Sequence, residues 1–428
     1  MDNSAKTQHQ PGKPFIGVTL NYRLSAWGFL SSREVASSGA TNLGLRDQRL
    51  ALQWVQENIA AFGGDPRKVT IFGESAGAMS VGYHLTAYGG RDDGLFRGGI
   101  MESGGSISAG ALHNESYYQD SFNSLASQVG CSKNPTRDAL QCLREVPFEK
   151  LNAALNDTSG SGSPTYLFQP TVDNDLIQTR GSEQLNTHAF VRVPIIAGTN
   201  SDEGTSFGPT GINTTQQFYS YLTSNKTSDP PLPPSAANSI LDVYPDDPSR
   251  GIPAYLGSAR IPSKGLQWRR TSAYAGDYMM HANRRRQCEA WAETDTPAFC
   301  YRFNVRSADA DYLQGAMHFE EVAFVFNNIA GRGYHYGKPF RGVPGSYVRL
   351  SQMMTSMWAA FIHDLDPNYP PIADGNGGNV RWEPYRQGKP VDLLFDANAN
   401  ATSSRMEADT WRKEGIDYIN SIADVYDR

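Results

Sequence analysis

A chain of 428 residues can form one large α/β domain or two average ones, and it can bury a substantial core. Hydrophobic content of 39 % and charged content of 19 % are ordinary for a soluble globular protein, while 41 glycines and 25 prolines imply long loops around a framework. A net charge of −6 argues against nucleic acid or an anionic membrane as the main partner, and no apolar run has the length of a membrane span.

The opening MDNSAKTQHQPGKP is polar and lacks the apolar stretch of a secretory signal. Residues 14–24 (PFIGVTLNYRL) read as a buried strand, with Phe15, Ile16, Val18 and Leu20 in an apolar run. Trp27 to Leu30 follow as a turn with an aromatic plug. Asn42 is placed to cap a helix over 44–61, in which Leu50/Trp54 and Ala51/Val55 stack at i, i+4. Gly63-Gly64-Asp65-Pro66 stops it. Val69 to Phe72 then read as a strand, and 96–103 (FRGGIMES) as the next. Residues 116–155 carry an amphipathic helical pattern, interrupted between Cys131 and Asn134. Residues 191–198 (VRVPIIAG) form a compact apolar strand, with a loop over 199–208. Residues 213–270 lack strand periodicity and read as short helices and loops forming a cap. The run 271–292 reads as a helix whose Arg284, Arg285 and Arg286 make a solvated face. A strand at 299–305, a core helix at 353–363 with Met354, Trp358 and Phe361 on one stripe, and an amphipathic helix at 407–425 complete the chain. Strands alternating with helices point to an α/β fold around a mainly parallel sheet.

The chemistry gathers at Gly73-Glu74-Ser75-Ala76-Gly77, a G-x-S-x-G run between an apolar β-branched segment and a small-residue helical one. That context is what a nucleophile elbow needs. The turn holds Ser75 in a strained conformation, Gly73 and Gly77 leave room for it, and the Ala76 amide points toward an oxygen that develops charge. A serine hydroxyl also needs a base, and the base an orienting acid. Along an α/β-hydrolase chain the order is Ser, then Asp/Glu, then His, with acid and base in loops beyond C-terminal strand ends. Asp202 and Glu203 pass that filter as acids, and His318 as base. His84 lies nine residues past Ser75 on the following helix and points into the fold.

The cysteines form two close pairs, Cys131 with Cys142 and Cys288 with Cys300. Their spacing does not fit a metal site, and no cofactor is implied. Two local disulfides, and with them an oxidising compartment, are the leading reading, with four reduced core thiols as the alternative. N-x-S/T sequons stand at Asn114, Asn156, Asn213, Asn225 and Asn400, a number that chance alone supplies.

The segments FGGDPRKVTIFGESAG, NYRLSAWGF, GTNSDEGTSF, GAMHFEEVAFVFN and Asp366-Pro367-Asn368 resemble the type-B carboxylesterase/lipase family, which includes cholinesterases and fungal secreted lipases. The resemblance runs nearly end to end. It implies an α/β-hydrolase fold over 1–428 as one domain, a Ser75-Glu203-His318 triad, Ala76 as an oxyanion donor, and Glu74 and Ser103 as neighbours of the triad, Ser103 steadying the acid. Cys131–Cys142 matches a disulfide of the family, and Cys288–Cys300 a pairing of some fungal members. A small-molecule or lipid ester is the implied partner, and secretion the implied destination. The family's glycine-rich oxyanion loop, upstream of the NYR strand, has no counterpart here, so missing N-terminal strands and a gap beside the elbow strand are expected. A chain lacking them is expected to be inactive or misfolded alone. The competing reading is a non-catalytic binding protein like the family's adhesion members, against which the retention of Ser75, Glu203 and His318 speaks.

Overall fold

Short runs that are apolar throughout have no face to offer water, so they belong inside a sheet covered on both sides. The computed structural model, which describes residues 14–132, 138–156, 168–224, 230–368, 372–373, 379–400 and 402–428, builds such a sheet. Its strands are β1 (Thr70–Glu74), β2 (Gly98–Glu102), β3 (Ile195–Asn200) and β4 (Ala298–Phe303), followed after a two-residue ladder of β5 (Ile372–Ala373) and β6 (Asn379–Val380) by β7 (Val391–Phe395) and β8 (Arg405–Ala408). The order is β1-β2-β3-β4-β7-β8, parallel up to β7 and antiparallel at β8. Because β1 to β4 all run one way, the loops after Glu74, Glu102, Asn200 and Phe303 emerge at one edge.

Successive residues of a strand serve opposite faces. Ile195 and Ala197 pack with Val81, Leu85 and Trp291, while Ile196 packs with Met354, Trp358 and Phe361. The first face is covered by the helices Ala76–Gly90 and Ala282–Glu293, the second by Gly345–Asp364. Among the described residues between 116 and 155 three helices form, Gln119–Gln128, Ala139–Glu145 and Phe148–Leu155. The described residues of 213–270 include the helices Thr215–Thr223 and Pro234–Val243, short 3-10 turns at Pro248–Arg250 and Ala254–Leu256, and the start of the helix Trp268–Gly276; this region packs against Tyr274, Tyr278 and the C-terminal Ile416 and Ile419. Asn225 and Asn134 lie outside the described residues. Both cysteine pairs are joined, Cys131 to Cys142 and Cys288 to Cys300.

Several expectations fail, each for an identifiable reason. Residues 14–24 form no strand: Phe15, Ile16, Val18 and Leu20 are exposed, and among the described residues no ladder pairs with them or with the outer edge of β1. The helix Leu43–Asn58 buries Leu45, Leu52 and Val55 but leaves Leu50 and Trp54 on its outer face. Asn42 takes a left-handed conformation without capping that helix, because its side chain bridges to the Thr171 backbone and Asp173. At the C-terminus, β7 and β8 precede a shorter helix, Lys413–Ser421, so Glu407 belongs to a strand.

The arginine face is the largest reversal. Arg284 and Arg285 are buried, with Arg284 bonded to Asp392 at 2.7 Å and to Asp409 at 2.8 Å, and Arg285 bonded to Asp409 at 2.7 Å. Arg286 pairs with Glu293 near the surface. A buried guanidinium is tolerated only when carboxylates compensate its lost hydration. Here they arrive from the start of β7 and the residue after β8, so the network fastens the C-terminal hairpin to the helix. Arg284→Met leaves Asp392 without its direct cationic partner. We expect a stability loss of about 3–5 kcal/mol in a urea titration, with an unchanged urea midpoint as the contrary result.

Candidate active site

Ser75 stands between β1 and the helix Ala76–Gly90 with φ 56° and ψ −119°. A side-chain-bearing residue at positive φ costs about 1–3 kcal/mol and must be held there. Its amide donates to the Glu102 carbonyl at 2.8 Å, and its carbonyl accepts from Met79 N at 2.9 Å. The turn closes because Gly73 has no side chain: a Cβ there would lie 2.2 Å from the Gly77 carbonyl carbon and 2.3 Å from its oxygen. Gly77, expected to be equally confined, is not, since it meets Gly73 with its carbonyl while its own Cβ position faces open space. Gly73→Ala is therefore expected to cost about 1–3 kcal/mol by overpacking. Gly77→Ala should leave the melting temperature level or slightly higher, because alanine suits a helix better. Paired thermal melts check the contrast, and equal losses at both sites would contradict this account of the turn.

His318 follows β4 in a long loop, and the turn Glu203–Thr205 follows β3. The two loops bring the side chains together. His318 Nδ1 lies 2.7 Å from Glu203 Oε2, and Nε2 lies 2.8 Å from Ser75 Oγ. With Nδ1–H donating to the carboxylate, Nε2 is left to accept from the serine hydroxyl. Glu203 is fully buried, and its Oε1 accepts from Ser103 Oγ at 2.5 Å and from Asn200 N at 2.7 Å. Asn200 Nδ2 in turn donates to Glu321 Oε2 at 2.5 Å. Phe207 meets the His318 ring edge-on at 4.8 Å.

Four glutamates crowd this edge. Burial, then Glu321, Glu203 and Glu102, pushes the Glu74 carboxyl up to about 10. Burial and Glu203 raise Glu321 to about 7, and burial and Glu321 lift Glu102 well above the carboxylate range. Trp358 Nε1 donates to Glu102 Oε1 at 2.8 Å. Glu74 Oε1 lies 3.3 Å from His318 Nε2, farther than the Ser75 hydroxyl, and a neutral Glu74 offers the ring no ion pair. Burial alone would lower the His318 pKa, but the charge and hydrogen bond of Glu203, with a smaller contribution from Glu321, carry it above its ordinary value.

Asn200, Glu321 and Glu102 were not picked out by sequence reasoning. The first two lie inside segments already noted, the 199–208 stretch read as a loop, where Asn200 in fact ends β3, and the run beyond His318; Glu102 directly precedes Ser103. Ala76 heads its helix beside Ser75. His84 is buried, held by Gln48 Oε1 at 2.9 Å and pushed down to about 3 by burial, so it stays a neutral core residue. Trp268 and Tyr274 are packed inside the fold, Tyr274 against Phe218, Tyr244 and Tyr278. A cavity of about 320 Å³ lined by Tyr244, Arg250, Arg270 and Arg412 contains no member of this constellation. The candidate site rests on its chemistry rather than on enclosure.

Among known proteins, the model of the carboxylesterase family matches residues 9–411. The chain belongs to that family. Lipase 2 of Geotrichum candidum is 31% identical to this carboxylesterase-family chain over 441 residues, covering 97% of it and 69% of the relative. The secreted triacylglycerol lipase LIP1 of Gibberella zeae is 30% identical, covering 96% and 66%, and Lipase 5 of Diutina rugosa is 33% identical, covering 83% and 61%. The chain thus spans roughly two thirds of the length of these relatives. The crystal structure of Aspergillus niger EstA superimposes with a TM-score of 0.77 at 27% identity, covering 95% of this chain and 74% of that one. The fold is the α/β-hydrolase fold.

Proposed function

We propose that this chain is a serine hydrolase of carboxylic esters acting through an acyl-Ser75 intermediate. The observation that carries the reading is the unbroken relay from Ser75 Oγ through His318 to Glu203, with spacings of 2.8 and 2.7 Å. Ser75 Oγ attacks the ester carbonyl carbon while its proton passes to His318 Nε2. Glu203 holds the ring in the competent tautomer and offsets the imidazolium charge. The oxyanion faces the Ala76 amide. Collapse breaks the ester C–O bond, and the leaving alkoxide takes the proton from Nε2. Water then attacks the acyl carbon, gives its proton to His318, and the acid leaves as Ser75 regains a hydrogen. Among esters, lipid or small apolar ones fit relatives named as lipases, and relatives named as secreted, together with two disulfides, support an extracellular setting.

An organophosphate should phosphorylate Ser75, with the adduct mapped by peptide mass spectrometry. An adduct on another residue of folded protein overturns the reading. A second reading, non-catalytic binding, is favoured by one observation: the outer edge of β1 has no partner strand among the described residues, and Phe72 is exposed there three residues before Ser75. Turnover of a p-nitrophenyl ester separates the two.

A further inference from the structure

Glu203 and His318 come from loops more than a hundred residues apart, and a relay with spacings of 2.7 and 2.8 Å requires those loops to keep one fixed relation. Asp202, immediately before the acid, is buried yet has no part in the relay. Its backbone N–H donates to the Ala316 carbonyl at 2.9 Å, and its Oδ2 accepts from the Ala316 N–H at 2.9 Å. One residue thus grips both polar groups of a residue two positions before His318. Two further bonds run between the same loops, Asn200 Nδ2 to the Met317 carbonyl and Thr205 Oγ1 to the Gln314 carbonyl, both 2.7 Å. The fit around the carboxylate is tight: at Gly315, with φ +68°, a Cβ would sit 2.1 Å from Asp202 Oδ2.

We propose that Asp202 is a positioning residue that clamps the loop of His318 onto the turn of Glu203. This rests on the hydrolase reading for its kinetic consequence, but not for its structural one. The reasoning is geometric. Asn200 and Thr205 reach backbone carbonyls, which accept from many donors, whereas Asp202 supplies the acceptor for a buried amide. Removing it leaves the Ala316 N–H without its partner and frees the loop just where a small displacement of the imidazole matters. Burial raises the Asp202 carboxyl to about 7 against the Ala316 bond and the charges of Arg302, Arg412 and Arg269. The function asked of it is acceptance, which an amide oxygen also provides.

The test compares Asp202→Ala and Asp202→Asn with the parent chain by p-nitrophenyl ester kinetics and by hydrogen exchange of a peptide spanning 311–318. Asp202→Ala should lower kcat by about 10–100-fold with little change in KM and speed exchange across 314–318. Asp202→Asn should restore most of both. If the alanine variant does not fold, Asp202→Ser takes its place, since its shorter side chain falls short of the Ala316 amide. Unchanged exchange in the truncated variant overturns the clamp, as does an asparagine variant as impaired as alanine. A folded parent chain with neither turnover nor an organophosphate adduct on Ser75 would refute the hydrolase reading, and exchange alone would then decide the role of Asp202.

Discussion

Ser75→Ala is expected to lower kcat for a p-nitrophenyl ester by about 10⁴–10⁶-fold while KM changes little. The size follows from what the substitution removes. The Ser75 hydroxyl is both the atom that bonds to the acyl carbon and the donor aligned on His318 Nε2 at 2.8 Å. No partial replacement is at hand, since a methyl group neither attacks nor donates. The scaffold has little reason to change. Ser75 is held through its backbone, by the Glu102 carbonyl and the Met79 amide, and alanine keeps both bonds. The melting temperature should therefore stay within a degree or two, which separates loss of chemistry from loss of fold. Organophosphate labelling should vanish with the hydroxyl. A variant that retains turnover or label would mean that some other nucleophile acts, and the relay would be a structural hydrogen-bond chain only.

The elbow was legible because its requirements are local: β-branched residues before it, small residues after it, and Gly73 where a Cβ would meet backbone at 2.2 Å. The order of Ser75, Glu203 and His318 was equally legible, since each follows a recognisable apolar strand. What the sequence concealed depends on distant partners. Arg284 and Arg285 read as a wet face until Asp392 and Asp409, more than a hundred residues later, supply the compensating charge. Leu50 and Trp54 have the spacing of a buried stripe, yet burial needs a surface opposite, and among the described residues the neighbouring 14–24 segment pairs with no strand. The β7–β8 hairpin was hidden because Glu407 starts a stretch with helical periodicity, and its strand pairing, with Glu407 opposite Asp392 and bonded to Arg302, depends on residues distant in the chain. The choice between Asp202 and Glu203 could not be made from spacing either. The structure separates them by direction, one toward His318 and the other toward Ala316.

Glu203→Gln should lower kcat by about 10³–10⁴-fold and move the pH profile. The carboxylate accepts Nδ1–H and so leaves Nε2 free to accept from Ser75, whereas an amide can present its NH₂ to Nδ1 and favour the opposite tautomer. The sign of the pH effect follows from the opposed influences on the ring. Burial favours neutral imidazole, while Glu203 favours the imidazolium and prevails, so His318 titrates above 6.5 in the folded chain. A general base works only when neutral, so the acid limb of kcat/KM should have its midpoint above that value, with activity rising as pH increases. With glutamine, burial gains weight and the residual activity should extend to lower pH. A limb that stays in place would detach Glu203 from the titration. Linkage gives the pair an opposite trend in stability: a histidine whose pKa is raised on folding stabilises fully below its unfolded pKa, and that contribution fades as pH climbs through the folded value. The charge pair thus contributes least to the fold at the pH where the ring is ready to take a proton, and Glu203→Gln should therefore cost more stability at pH 5 than at pH 9, read as the difference between two melting curves of the same variant pair.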